Sequence, residues 1–140
     1  MNPSKKSQNW RQAALGCFPE LDDLLSIPDE GDACYQYFIW MFSRFEEALE
    51  EGARNRAGKY LQFVLRALGT ELHSDSEDLQ AAAGVCFAEH LFDERSEEDW
   101  QFILSLMSRE DYLLCRPYLQ NWLDAEEFIK AEGAADHHYA

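Results

Sequence analysis

Six aromatic side chains fall between Tyr35 and Phe45, inside a run from Asp32 to Glu51, DACYQYFIWMFSRFEEALEE, that contains neither glycine nor proline. Cys34, Phe38, Met41, Phe42, Phe45, Ala48 and Leu49 recur at three- and four-residue steps, so a helix gathers them on one face. Tyr35, Ile39 and Trp40 fall outside that stripe, which makes the first half apolar nearly all round. Such a helix is expected to be enclosed by its neighbours. At 1.5 Å per residue it is about 30 Å long, the width of a small domain. The rest of the chain must pack around it.

That packing is helical wherever the pattern is readable. Ser7 is a candidate cap for a first short helix carrying Trp10, Ala13, Ala14 and Cys17, and Pro19 opens a second, PELDDLLS, stopped by Pro28. Asp32 is the expected cap of the central helix and Gly52 its end. Ala57, Tyr60, Leu61, Val64, Leu65, Leu68 and Leu72 then repeat at helical spacing. Ser74 with Glu77, Ser96 with Asp99 and Ser108 with Asp111 are capping-box patterns, and Met107 with Tyr112 fits a hydrophobic staple around the third. The small AAAG segment at 81–84 permits close approach of another helix. Pro117 is expected to divide the C-terminal region into a short helix and a final one, PYLQNWLDAEEFIKAE.

No β-type alternation of useful length occurs. The fold class is therefore all-α: one domain over residues 1–140, with loose ends at about 1–6 and 133–140 and six or seven helices. They can close as a bundle or stack as a short solenoid of helix pairs. With 46% hydrophobic and 14% aromatic residues, the chain has enough apolar material for a sizeable core. The longest apolar run, near Tyr37 to Phe42, is far too short to span a membrane, and no secretory signal follows Lys5 and Lys6. Cys17, Cys34, Cys86 and Cys115 lack CxxC spacing and read as free thiols of a reducing compartment, which makes the cytoplasm the expected location.

The chemistry of an active site is not written in these residues. His73, His90, His137 and His138 do not form the Glu-x-x-His pairs that place metal ligands in a helical bundle. His90 and Glu94 are four apart, but other helices offer no histidine to join them. No GxSxG, Cys–His arrangement or phosphate-binding glycine loop is present. No enzymatic activity, metal or cofactor is expected.

Charge is the stronger signal. A formal net charge of −15 argues against nucleic acid or an anionic membrane as direct partner and leaves solubility, or complementarity to a basic protein. Antiparallel neighbours joined by short turns place Glu46, Glu47, Glu50 and Glu51 at the same end of the fold as Asp93, Glu94, Glu97, Glu98 and Asp99. The last three suit the first turn of a helix, where the dipole favours them. Glu46, Glu47, Glu50 and Glu51 instead form two like-charge pairs at four-residue spacing, costing about 0.2–0.5 kcal/mol each, at a helix C-terminus that disfavours them. Asp93 and Glu94 share that second fault. Arg54, Arg56 and Lys59 can relieve it; otherwise the acid is kept for a partner.

The central helix YQYFIWMFSRF, the second helix YLQFVLRAL, the segment AAAGVCFAEHLF with its acidic turn and the short helices from SREDY resemble the small all-helical immunity proteins of bacterial toxin systems, including contact-dependent growth inhibition. The resemblance covers about two-thirds of the chain. It implies a cytoplasmic protein that binds one cognate toxin domain and blocks it, with many such toxins being nucleases whose substrate grooves are basic. The nine carboxylates above are then the candidate toxin-binding residues. The other reading is a helical adaptor that binds through an apolar groove near Trp100, Tyr118 and Trp122. Neither reading sets an oligomeric state.

Overall fold

The computed structural model describes residues 3–69, 77–93 and 95–140. Among these residues the chain is an all-α bundle: α1 (Pro3–Cys17), a 3₁₀ segment (Pro19–Ser26), α2 (Glu30–Glu50), α3 (Arg54–Leu68), α4 (Glu77–Cys86), a 3₁₀ turn (Ala88–His90), α5 (Glu97–Leu104), α6 (Arg109–Trp122) and α7 (Ala125–His138). No helix among the described residues is long and apolar enough to cross a membrane.

The aromatic helix is the centre of the packing. Cys34, Tyr37, Phe38, Met41, Phe45 and Ala48 of α2 are fully buried, and α3 and α4 flank it. α3 returns antiparallel, with Tyr60 against Trp40 and Phe63 against Tyr37. α4 runs parallel to α2: Asp78 lies beside Gly31 at their starts, and Phe87 meets Phe45 near the other end, ring centroids 5.0 Å apart. Ala82, Ala83 and Gly84 are buried, so the small-residue segment does let neighbours come close. Enclosure is incomplete, however. Ile39 is 58% exposed and Tyr35 36%, because α3 and α4 cover the opposite face.

The caps explain where helices begin and end, and they correct several expectations. Asp29, not Asp32, caps α2; its carboxylate accepts from the Asp32 N–H at 2.9 Å. Gly52 ends α2 with φ +68°, the Gly52 N–H bonding to the Leu49 carbonyl and the Ala53 N–H to the Ala48 carbonyl, a Schellman closure. Ser96 caps α5, and Ser108 with Asp111 forms a full capping box at α6. Ser74, the expected cap of α4, lies outside the described residues. α1 already runs from Pro3, so Ser7 is within it and the expected loose end at 1–6 is helical from Pro3.

Pro117 does not divide α6. The helix passes through it to Trp122, held by the buried face of Tyr112, Cys115 and Leu119, which outweighs the missing N–H. The break comes at Leu123, where Asp124 caps α7 by accepting from the Glu127 N–H at 2.8 Å. The end of the chain, expected to be loose over 133–140, is instead helical to His138. Ala131 and Ala135 are buried, and the Tyr139 hydroxyl donates to the carbonyls of Leu104 and Met107 at 3.2 and 3.1 Å.

All four cysteines are free; Cys34 and Cys115 are buried, Cys17 and Cys86 partly so. Burial pushes the Cys86 thiol up to about 11 and the Cys115 thiol up to about 12, which keeps both protonated at neutral pH.

Candidate protein-binding surface

Three helix ends supply carboxylates to one end of the bundle. α2 leaves there through Glu46, Glu47, Glu50 and Glu51. The chain returns there after the 3₁₀ turn, and Arg95 spans the two segments, its Nη2 3.5 Å from the Glu46 carboxylate while its Nε–H donates to the Leu91 carbonyl at 2.8 Å. α7 starts at the same end, since the Trp122 indole N–H just before it donates to Asp93 at 2.9 Å.

The four glutamates of α2 are not equivalent. Glu47 pairs with Arg44 at 3.3 Å, Glu51 pairs with Arg56, and Glu46 has Arg95. The expected fault at this helix end is therefore largely compensated within the chain. Of the three cations expected to relieve it only Arg56 does so; Arg54 bonds the Ser105 hydroxyl and lies over Phe102, and Lys59 lies over Phe18. Glu50 forms no ion pair among the described residues.

Asp93 is likewise committed. It accepts from Trp122 and lies 2.6 Å from His90 Nδ1, and the His90 and Trp122 rings meet edge to face with centroids 4.7 Å apart. This cluster fixes the start of the α6–α7 connection. Beside it Glu89 is 6% exposed; burial, and then Asp93, push its carboxyl above the usual range while His90 opposes them. Glu94 lies outside the described residues. Glu97, Glu98 and Asp99 are exposed in the first turn of α5 and make no ion pair among the described residues, so their charge is stabilised by the helix terminus and open to solvent.

Two further acidic residues at this end, Glu126 and Glu127 in the first turn of α7, are absent from the sequence-based set. The signal was present: Asp124 precedes them at capping distance. A helix start at Pro117 would put Asp124 inside the helix, whereas the chain breaks at Leu123 and leaves Asp124 as the cap.

Between α5 and α7 runs a groove of about 720 Å³ lined by Glu97, Glu98, Trp100, Lys130, Gly133 and His137. A smaller depression of about 340 Å³ shares Glu97, Trp100 and Lys130 and extends past Arg95 and Glu127. Trp100, only 7% exposed, is held edge to face by Phe92, and its indole N–H meets no acceptor among the described residues. Gln101 ties the two helices together beyond it, donating to the Ala134 carbonyl at 3.3 Å while its amide oxygen lies 3.1 Å from His138.

The aromatics named for an adaptor occupy separate settings. Trp100 lies under the α5–α7 groove, Tyr118 packs on Gly84 of α4, and Trp122 stands 51% exposed against His90. Ile129 on α7 is 70% exposed. Among the described residues no three His, Cys, Asp or Glu side chains converge as a metal site would require. Comparison with known protein families, curated proteins and solved structures finds no match for this chain.

Proposed function

We propose that this chain is a cytoplasmic immunity protein that binds a basic toxin domain, a nuclease being the fitting class, and blocks it through its acidic end. The observation that carries this reading is the set Glu50, Glu97, Glu98 and Asp99, carboxylates with no ion pair among the described residues that share one end of the bundle. Glu126 and Glu127 extend the set. Carboxylates clustered at one end of an acidic body steer an oppositely charged partner and set its orientation. Glu46, Glu47 and Glu51, already paired to arginines, act chiefly as a background field.

The test starts from the gene immediately upstream of this chain, where this reading expects a toxin. Growth arrest caused by its C-terminal domain should be relieved by co-expression of this chain, and the purified pair should bind tightly at low salt and more weakly at high salt. Neutralising all four, with Glu50, Glu97 and Glu98 each changed to glutamine and Asp99 to asparagine, should abolish relief while circular dichroism shows the helical fold retained. Relief that survives all four changes removes the acidic end from the mechanism.

The exposure of Ile129 and Trp122 favours a second reading, a helical adaptor that docks through apolar surface. Binding insensitive to salt and lost in Ile129→Glu or Trp122→Ala would select it.

A further inference from the structure

Within the acidic end, the groove between α5 and α7 has features that exposed carboxylates alone do not. Its volume lies in the range of sites that take several side chains. Trp100, which lines the groove, is more than nine-tenths buried, and its indole N–H has no acceptor among the described residues, a donor without the partner that buried polar groups normally find. On the α7 wall, a β-carbon at Gly133 would meet no atom within 4 Å, so the wall is open there. Glu97 and Glu98 form the α5 rim, Lys130 and His137 lie on the α7 side, and the chain as a whole carries −15, so a cation is favoured at the α5 rim in particular.

We propose that this groove receives a short cationic amphipathic helix of the partner, with a large apolar side chain seated over Trp100 and Gly133 and lysine or arginine facing Glu97 and Glu98. This inference rests on the reading of the chain as a binder of a basic protein. A groove between two helices suits a helical ligand whose apolar face enters it. The indole nitrogen is itself closed to solvent, so a ligand oxygen can accept from it only if the Trp100 ring turns toward the groove on binding. A second copy of this chain is a poor occupant, since two acidic bodies repel.

Gly133→Met is the decisive variant. The position is helical and open, so methionine improves on glycine in helix propensity, leaves the fold intact and fills the groove. The probes are a synthetic leucine–lysine amphipathic peptide and its leucine–glutamate counterpart. The readout is the NMR cross-peak of the Trp100 indole N–H, assigned by its loss in Trp100→Phe. The leucine–lysine peptide should shift this cross-peak downfield, the leucine–glutamate peptide should not, and Gly133→Met should weaken binding about tenfold or more. Equal binding to Gly133→Met, equal response to both peptides, or a shift that follows protein concentration without peptide would each overturn the proposal, the last by marking a dimer face. Failure here is separable from failure of the functional reading. A Gly133→Met protein that still relieves growth arrest removes the groove and leaves the acidic end; absence of relief by the unaltered protein removes the toxin and leaves the peptide titration to judge the groove.

Discussion

Gly84 of α4 lies directly against the ring of Tyr118 on α6, with no space for a β-carbon between them. The contact brings the backbone of α4 against α6 and explains why a glycine is tolerated inside a helix. Gly84→Ala gains about 1 kcal/mol of helix propensity but overpacks a close contact at a cost of about 1–3 kcal/mol, so net destabilisation is expected. Chemical denaturation checks the sign. In a double-mutant cycle, adding Tyr118→Ala to Gly84→Ala should give the negative coupling expected of a relieved clash.

The acidic end should respond unequally to charge reversal. Lysine at 46, 47 or 51 would face Arg95, Arg44 or Arg56, losing a weak ion pair and adding repulsion. Lysine at 50 breaks no ion pair among the described residues and suits the helix C-terminus, so stability should hold or rise slightly. Thermal melts of the four single variants would show the order. A larger loss at Glu50 than at the other three would contradict the pairing seen here.

Glu89 should make stability depend on pH in the sense opposite to a salt-bridged carboxylate. Its folded-state carboxyl is raised from 4.5, so the unfolded chain releases its proton first as pH rises. The resulting penalty is absent below pH 4.5, grows as pH climbs through the folded value, and persists above it. Glu89→Gln removes the penalty. Its melting temperature should exceed that of the unaltered protein at pH 7, and the difference should shrink towards pH 4.

The C-terminal anchor is testable at a single oxygen. Tyr139→Phe removes a donor shared by the Leu104 and Met107 carbonyls and should cost about 1 kcal/mol. Burial first of all lifts this hydroxyl to about 12 from 10.0. Stability therefore falls as pH rises between those values, and the variant should flatten that part of the decline. Faster amide exchange over 133–138 in the variant would locate the loss in α7.

Much of the helical plan was legible because it is written locally. The period of the α2 aromatics, Ser96 with Asp99, Ser108 with Asp111, and Gly52 with its positive φ each act within a turn or two of themselves. The errors arose where packing at a distance outweighed a local rule. Pro117 is carried inside α6 by a buried face, and residues 133–138 are held in α7 by Ala135 and by the reach of Tyr139 to Leu104 and Met107.

The sequence by itself determined the helical class, the amount of acid and the end of the fold where much of it collects, since periodicity, capping and charge are properties of short segments. Only the tertiary structure decided which carboxylates are compensated. Arg95 reaches Glu46 across 49 residues and Trp122 reaches Asp93 across 29, while Glu50 and the first turn of α5 make no ion pair among the described residues. The same assembly set α5 against α7 and made a groove over Trp100. Side-chain pairing and concavity depend on where helices meet, and no short segment encodes that.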